Sequence, residues 1–133
     1  MKNIMNKKAS GFSLVELLVV IAVIGLIAAI AIPQISKITD KAQKASDQRN
    51  AQNVVGVYGA AVAAGYSTQL ADKDAVINAL ETGVNGVNSF SDSLFKISEL
   101  DATTQGRVAG YIAFDASDTS GPALLTYVPA GGQ

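Results

Sequence analysis

Histidine, cysteine and tryptophan are all missing from the 133 residues. Without the first two, zinc sites, Cys–His chemistry and histidine-based triads are excluded. The lack of cysteine also removes any disulfide framework, so the redox compartment stays open. Aromatic residues make up only 6% of the chain, which limits the core that one small domain can build. Serine and lysine are present, but no spacing brings a nucleophile and a base together. No enzymatic activity is expected.

Charge is short in two places. From Phe12 to Ile32 the only charged residue is Glu16. After Arg49, three bases (Lys73, Lys96 and Arg107) face eight acids, a formal charge of −5. A nucleic-acid partner would call for a basic face, so none is expected. The pattern is that of a small acidic domain joined to a very apolar stem. Packing against that stem is the natural source of additional burial.

The N-terminal segment carries Lys2, Lys7 and Lys8 and no acid before the apolar run begins. Three readings fit it. An ordinary signal peptide would use Ala29-Ile30-Ala31 as its cleavage site and release a soluble protein beginning at Ile32. A plain membrane anchor also fits, because 21 residues at about 1.5 Å each cover roughly 31 Å, close to the thickness of a bilayer's hydrocarbon core. The three lysines would then hold the N-terminus in the cytoplasm.

The third reading starts from Gly11-Phe12-Ser13-Leu14-Val15-Glu16. This stretch closely resembles the processing site of type IV pilins and type II secretion pseudopilins, and the resemblance runs from Lys7 to about Pro33. In that family a membrane-embedded aspartyl prepilin peptidase cuts after the glycine and methylates the residue that follows. The resemblance therefore implies cleavage between Gly11 and Phe12 and N-methylation of Phe12. The anchor survives, because the cut precedes it. A glycine also suits a protease that needs extended, accessible backbone.

Glu16 weighs among the three. A carboxylate in an apolar helix costs about 2.5–3.5 kcal/mol at the bilayer centre and less near the interface, and a signal peptide or simple anchor is expected to gain nothing from it. In the pilin family the glutamate at this place pairs with the N-terminal amine of a neighbouring subunit. That implies an assembly role for Phe12 and Glu16.

Gly25 and Pro33 mark a helix kink. Pro33 lacks the amide hydrogen that would bond the Ala29 carbonyl, and Gly25 costs about 1 kcal/mol relative to alanine in a helix interior. Relatives carry a proline at the place of Pro33, with the stretch before it often partly unwound in assembled filaments.

Beyond Pro33 the apolar spacing stays helical. Ile35, Ile38, Ala42 and Ala45 recur at three and four, with Lys37, Lys41 and Lys44 on a neighbouring face. These lysines are expected to be a solvated face rather than a phospholipid site. A second stripe follows at Ala51, Val54, Val55, Tyr58, Ala61, Val62 and Gly65, and it is bulky enough to dock a domain. The expected helix runs from about Phe12 to Ala64 and stops at Gly65.

The remainder predicts a short helix over Leu70–Leu80, a loop or hairpin tip over Glu81–Ser93, and a strand at Leu94–Ile97. A short helix opens at Ser98–Asp101 and runs toward Val108, followed by strands at Tyr111–Asp115 and Ala123–Val128. The fold class is α+β, type IV pilin-like: a long N-terminal helix with a small antiparallel sheet packed on its C-terminal half. The expected divisions are a leader at 1–11, a transmembrane and assembly segment at 12–33, the soluble half of the stem at 34–65, and a head at 66–133.

Many pilins close a C-terminal loop with a disulfide, and this chain lacks the cysteines. Major pseudopilins bind calcium in a C-terminal acidic loop. Here Asp115 and Asp118 are the candidates, but two carboxylates fall short of six to eight oxygen ligands. No cofactor is therefore expected.

The resemblance implies a structural subunit polymerising with copies or relatives, served by prepilin peptidase and by an inner-membrane assembly platform with its ATPase. It would begin as a single-pass protein of the bacterial inner membrane with a periplasmic C-terminal domain. It would end in an extracellular pilus or a periplasmic pseudopilus. The alternatives are a secreted or periplasmic binding protein cut after Ala31, and an adhesin using the loop at Val84–Ser93.

Overall fold

The computed structural model describes residues 11–117 and 121–129. The first element, α1, is an α-helix over Leu14–Ala63. Its residues up to Lys41 belong to one compact unit, and those from Ala42 onward belong to a second.

Within the first unit, α1 from Leu14 to Ile32 is apolar on every side apart from Glu16. Leu14, Leu17, Leu18, Ile21, Ile24 and Ile27 are all exposed, as are Ile30, Ile35 and Ile38. An amphipathic helix buries one stripe and wets the other, whereas an all-round apolar helix needs a surrounding that is itself apolar. The helix continues through Gly25 and Pro33 without leaving the helical state.

The second unit is built on the later stripe of α1. Ala51, Val54, Tyr58 and Ala61 are buried, as the spacing predicts. Val55 and Val62 pack at the edge of the same cluster. The helix stops through a Schellman arrangement: Tyr66 N donates to Ala61 O at 3.0 Å and Gly65 N to Val62 O at 2.9 Å. Gly65 sits at φ 91°, and a Cβ there would collide with the Val87 side chain. Only glycine satisfies both conditions.

Next comes α2 over Lys73–Thr82, with Asp72 as its N-cap accepting from Ala75 N at 2.8 Å. The helix predicted from Leu70 begins three residues later because this cap outweighs the apolar Leu70-Ala71 pair that precedes it. Val76, Ile77 and Leu80 are fully buried against α1 and its neighbours.

The segment predicted as a loop or hairpin tip is a hairpin. Strand β1 (Val84–Asn85) pairs antiparallel with β2 (Leu94–Phe95), and a single 3-10 turn over Asn88–Phe90 lies between them. The strand expected at Leu94–Ile97 is two residues shorter, because Ile97 N turns to Leu80 O at 3.1 Å instead of continuing the ladder. A further short helix, α3, covers Ala102–Ala109 and is capped by Asp101. It leads into β3 (Ile112–Asp115), which pairs antiparallel with β4 (Leu124–Tyr127) in the register Ile112 with Tyr127.

The fold is α+β, with a long N-terminal helix and antiparallel pairs packed on its later part. The pairing is divided between two separate two-stranded ribbons rather than gathered in one sheet. Two-stranded ribbons are marginal alone, and these are held by burial of Val84, Ile97, Ile112 and Leu125 in one cluster with α1, α2 and α3.

A polar network also ties α3 to α1. Asp47 is 2% exposed. Its two oxygens accept from Gln43 Nε2 at 3.1 Å and Arg107 Nε at 2.9 Å. Arg107 Nη2 donates to Thr104 Oγ1 at 2.9 Å, and that hydroxyl in turn donates to Asp101. Lys73 Nζ closes the far end of α3 by donating to Ala109 O at 2.8 Å.

Candidate functional site

The site expected from the sequence is the start of α1. Gly11, Phe12 and Ser13 precede the helix, and Phe12 is 89% exposed. Among the described residues other than its chain neighbours, no heavy atom lies within 4 Å of where a Cβ on Gly11 would stand. Gly11 and Phe12 thus lie outside regular structure and are exposed.

Ser13 and Glu16 form a reciprocal cap. Ser13 N donates to Glu16 Oε2 at 2.8 Å, and Val15 N donates to Ser13 Oγ at 3.3 Å. Two of the orphan amides at the helix start are satisfied by one serine and one glutamate three positions on, a variant of the capping box in which the serine takes the amide of Val15 rather than that of Glu16. The carboxylate also lies at the positive end of the helix dipole.

This corrects the expectation that an anchor gains nothing from Glu16. Any helix starting at Leu14 gains a cap from it. The sequence holds the signal, Ser-x-x-Glu ahead of an apolar run. That signal is masked because the pilin resemblance already gives the glutamate a use.

An 18-residue window of α1 has a mean hydropathy of 3.0 and none of it is buried. The helix is long and apolar enough to cross a membrane, a property shared with signal sequences. Ala29-Ile30-Ala31, the alternative cleavage point, lies inside the uninterrupted helix. Among the described residues, nothing beyond the helix's own backbone lies within 4 Å of a Cβ placed on Gly25. Pro33 is an interior residue of α1. Lys37, Lys41 and Lys44 are exposed.

The other candidates lie in the second unit. Asp115 ends β3 and accepts from Ser117 N at 2.8 Å. The Ser117 hydroxyl and amide hold its carboxyl below the usual value, as a local turn does. Asp118 lies outside the described residues. Among the described residues no group of three or more acidic side chains has metal-holding geometry. The hairpin around Val84–Ser93 presents Val87 and Phe90 at the surface, both exposed.

The helix start combines an exposed Gly11–Phe12 segment, a capping glutamate and an exposed apolar continuation. Residues 6–32 match the family described as the prokaryotic N-terminal methylation motif, the signature of type IV pilins and pseudopilins. No curated protein and no solved structure matches the chain.

Proposed function

We propose that this chain is a structural subunit of a type IV pilus or of a type II secretion pseudopilus. Prepilin peptidase removes residues 1–11 and methylates the amine of Phe12. Residues 12–33 hold the subunit in the inner membrane as a single pass with the C-terminal part periplasmic, until the assembly platform and its ATPase draw it into a fibre. Residues 34–65 carry the stem out of the membrane, and 66–133 form the head. The fibre is a homo- or hetero-polymer with related subunits, either extracellular or periplasmic, and neither a nucleic acid nor a catalytic site has a part in it. No bound metal is needed for this reading.

The observation that carries the proposal is the apolar surface of α1, exposed on all sides and headed by Glu16, within the methylation motif. Exposed apolar area on this scale requires lipid or neighbouring helices. A carboxylate at its head requires a positive partner once water is excluded, and the Phe12 amine of an adjacent subunit has the right charge.

The capping contact separates two uses of Glu16. Glutamine at this place still accepts from Ser13 N, whereas alanine does not, and both variants lose the charge. Membrane insertion of Glu16→Gln and Glu16→Ala is expected to persist while both fail to enter filaments. Normal filament incorporation of Glu16→Gln would exclude charge pairing as the assembly contact.

A further inference from the structure

In a continuous helix each amide bonds the carbonyl four residues earlier. The amide positioned to take the Gly11 carbonyl is that of Val15. In this structure Val15 N is given to Ser13 Oγ at 3.3 Å, and Ser13 N is held by Glu16 Oε2 at 2.8 Å. Regular helix accordingly starts at Leu14, with Leu17 N donating to Ser13 O at 3.2 Å. The donor that would draw Gly11 into the first turn is already occupied.

We propose that Ser13 is a positioning residue for the processing cut: by capping α1 it keeps the Gly11–Phe12 peptide outside the helix and its carbonyl free for attack. The inference rests on the reading that a peptidase cuts there. Hydrolysis adds one water across that amide, leaving a carboxylate on Gly11 and an amine on Phe12. Attack requires access to the carbonyl carbon, and a carbonyl sealed into a helical turn by an amide and by flanking side chains is poorly placed for it. Gly11 alone cannot guarantee the open state. A glycine permits the non-helical backbone but does not select it, whereas a residue that takes the Val15 amide does.

Without the hydroxyl of residue 13 the helix start is free to move toward the leader. Alanine favours helix interiors over caps, and the next hydroxyl upstream is Ser10. A start at Ser10 would make Gly11 and Phe12 the first helical residues and place the scissile bond within the first turn. Threonine at 13 keeps an acceptor at the same distance along the chain and preserves the boundary.

The test uses the full-length precursor in detergent with purified prepilin peptidase. Ser13→Ala is expected to lower kcat/KM about fivefold, the typical strength of one N-cap, and Ser13→Thr to restore most of it. The carbonyl 13C shift of Gly11 in the uncut precursor should move toward the helical value in Ser13→Ala and stay in place in Ser13→Thr. Cutting of Ser13→Ala at the wild-type rate overturns the proposal. So does a loss of cutting with no change in the Gly11 shift, or one that threonine does not rescue. If the unaltered precursor is not cut between Gly11 and Phe12, the reading beneath it fails instead, and the two failures are distinct.

Discussion

Asp47 Oδ2 accepts a hydrogen bond from Arg107 Nε at 2.9 Å, joining α1 to α3 across sixty positions of sequence. The two partners are unequal. The Asp47 side chain is 3% exposed and that of Arg107 is 38% exposed. Arg107→Ala would strand a buried carboxylate and is expected to cost about 3 kcal/mol. Asp47→Ala leaves a guanidinium that still reaches water and is expected to cost about 1 kcal/mol. Denaturant unfolding of the full chain in detergent, followed by near-ultraviolet circular dichroism of the tyrosines, measures both. Equal losses would show that burial of the acid does not set the asymmetry.

Glycines in and just beyond α1 give opposite expectations. Among the described residues, a methyl group added at Gly56 or Gly59 would meet nothing within 4 Å beyond the helix's own backbone, so alanine at either site is expected to stabilise the helix by about 1 kcal/mol. Gly65 sits at φ 91° against Val87, and Gly65→Ala is expected to destabilise by about 2 kcal/mol. The same unfolding assay reads all three variants. A shared sign at Gly56 and Gly65 would contradict the helix stop described above.

Acid should weaken the cap of α3. The Thr104 hydroxyl, followed by the Thr104 and Thr103 amides, holds the Asp101 carboxyl below its ordinary value of 3.8. A carboxyl lowered on folding contributes stability that is complete above its ordinary value and is lost as pH falls through the folded value. The difference in thermal midpoint between wild type and Asp101→Asn is therefore expected to be constant above about pH 5 and to narrow below about pH 4. A difference that widens on acidification would show that the charged form of Asp101 is not the stabilising one.

What is legible in the sequence is local. The Gly11-Phe12-Glu16 pattern, the buried stripe from Ala51 to Ala61 and the stop at Gly65 each lie within a few turns of one helix, where spacing determines contact. The Asp101 cap is readable for the same reason. The Asp47–Arg107 pair is not, because nothing in either neighbourhood says that α3 returns to α1. The strands of the β1–β2 hairpin are two residues long, too short to show alternation. Its Gly83, Gly86, Asn85 and Asn88 carry the composition of a turn. At the helix start, Ser13 is visible in the sequence but its role is hidden, since the capping box and the processing motif occupy the same six residues.

On the proposed function the chain is shortened ahead of its apolar helix and keeps that helix. Intact mass and N-terminal sequence of the mature protein, isolated from membranes, test this most directly. The expected product begins at Phe12 with a single methyl group on its amine. A mature chain beginning at Ile32, or one that retains Met1–Gly11, would contradict it.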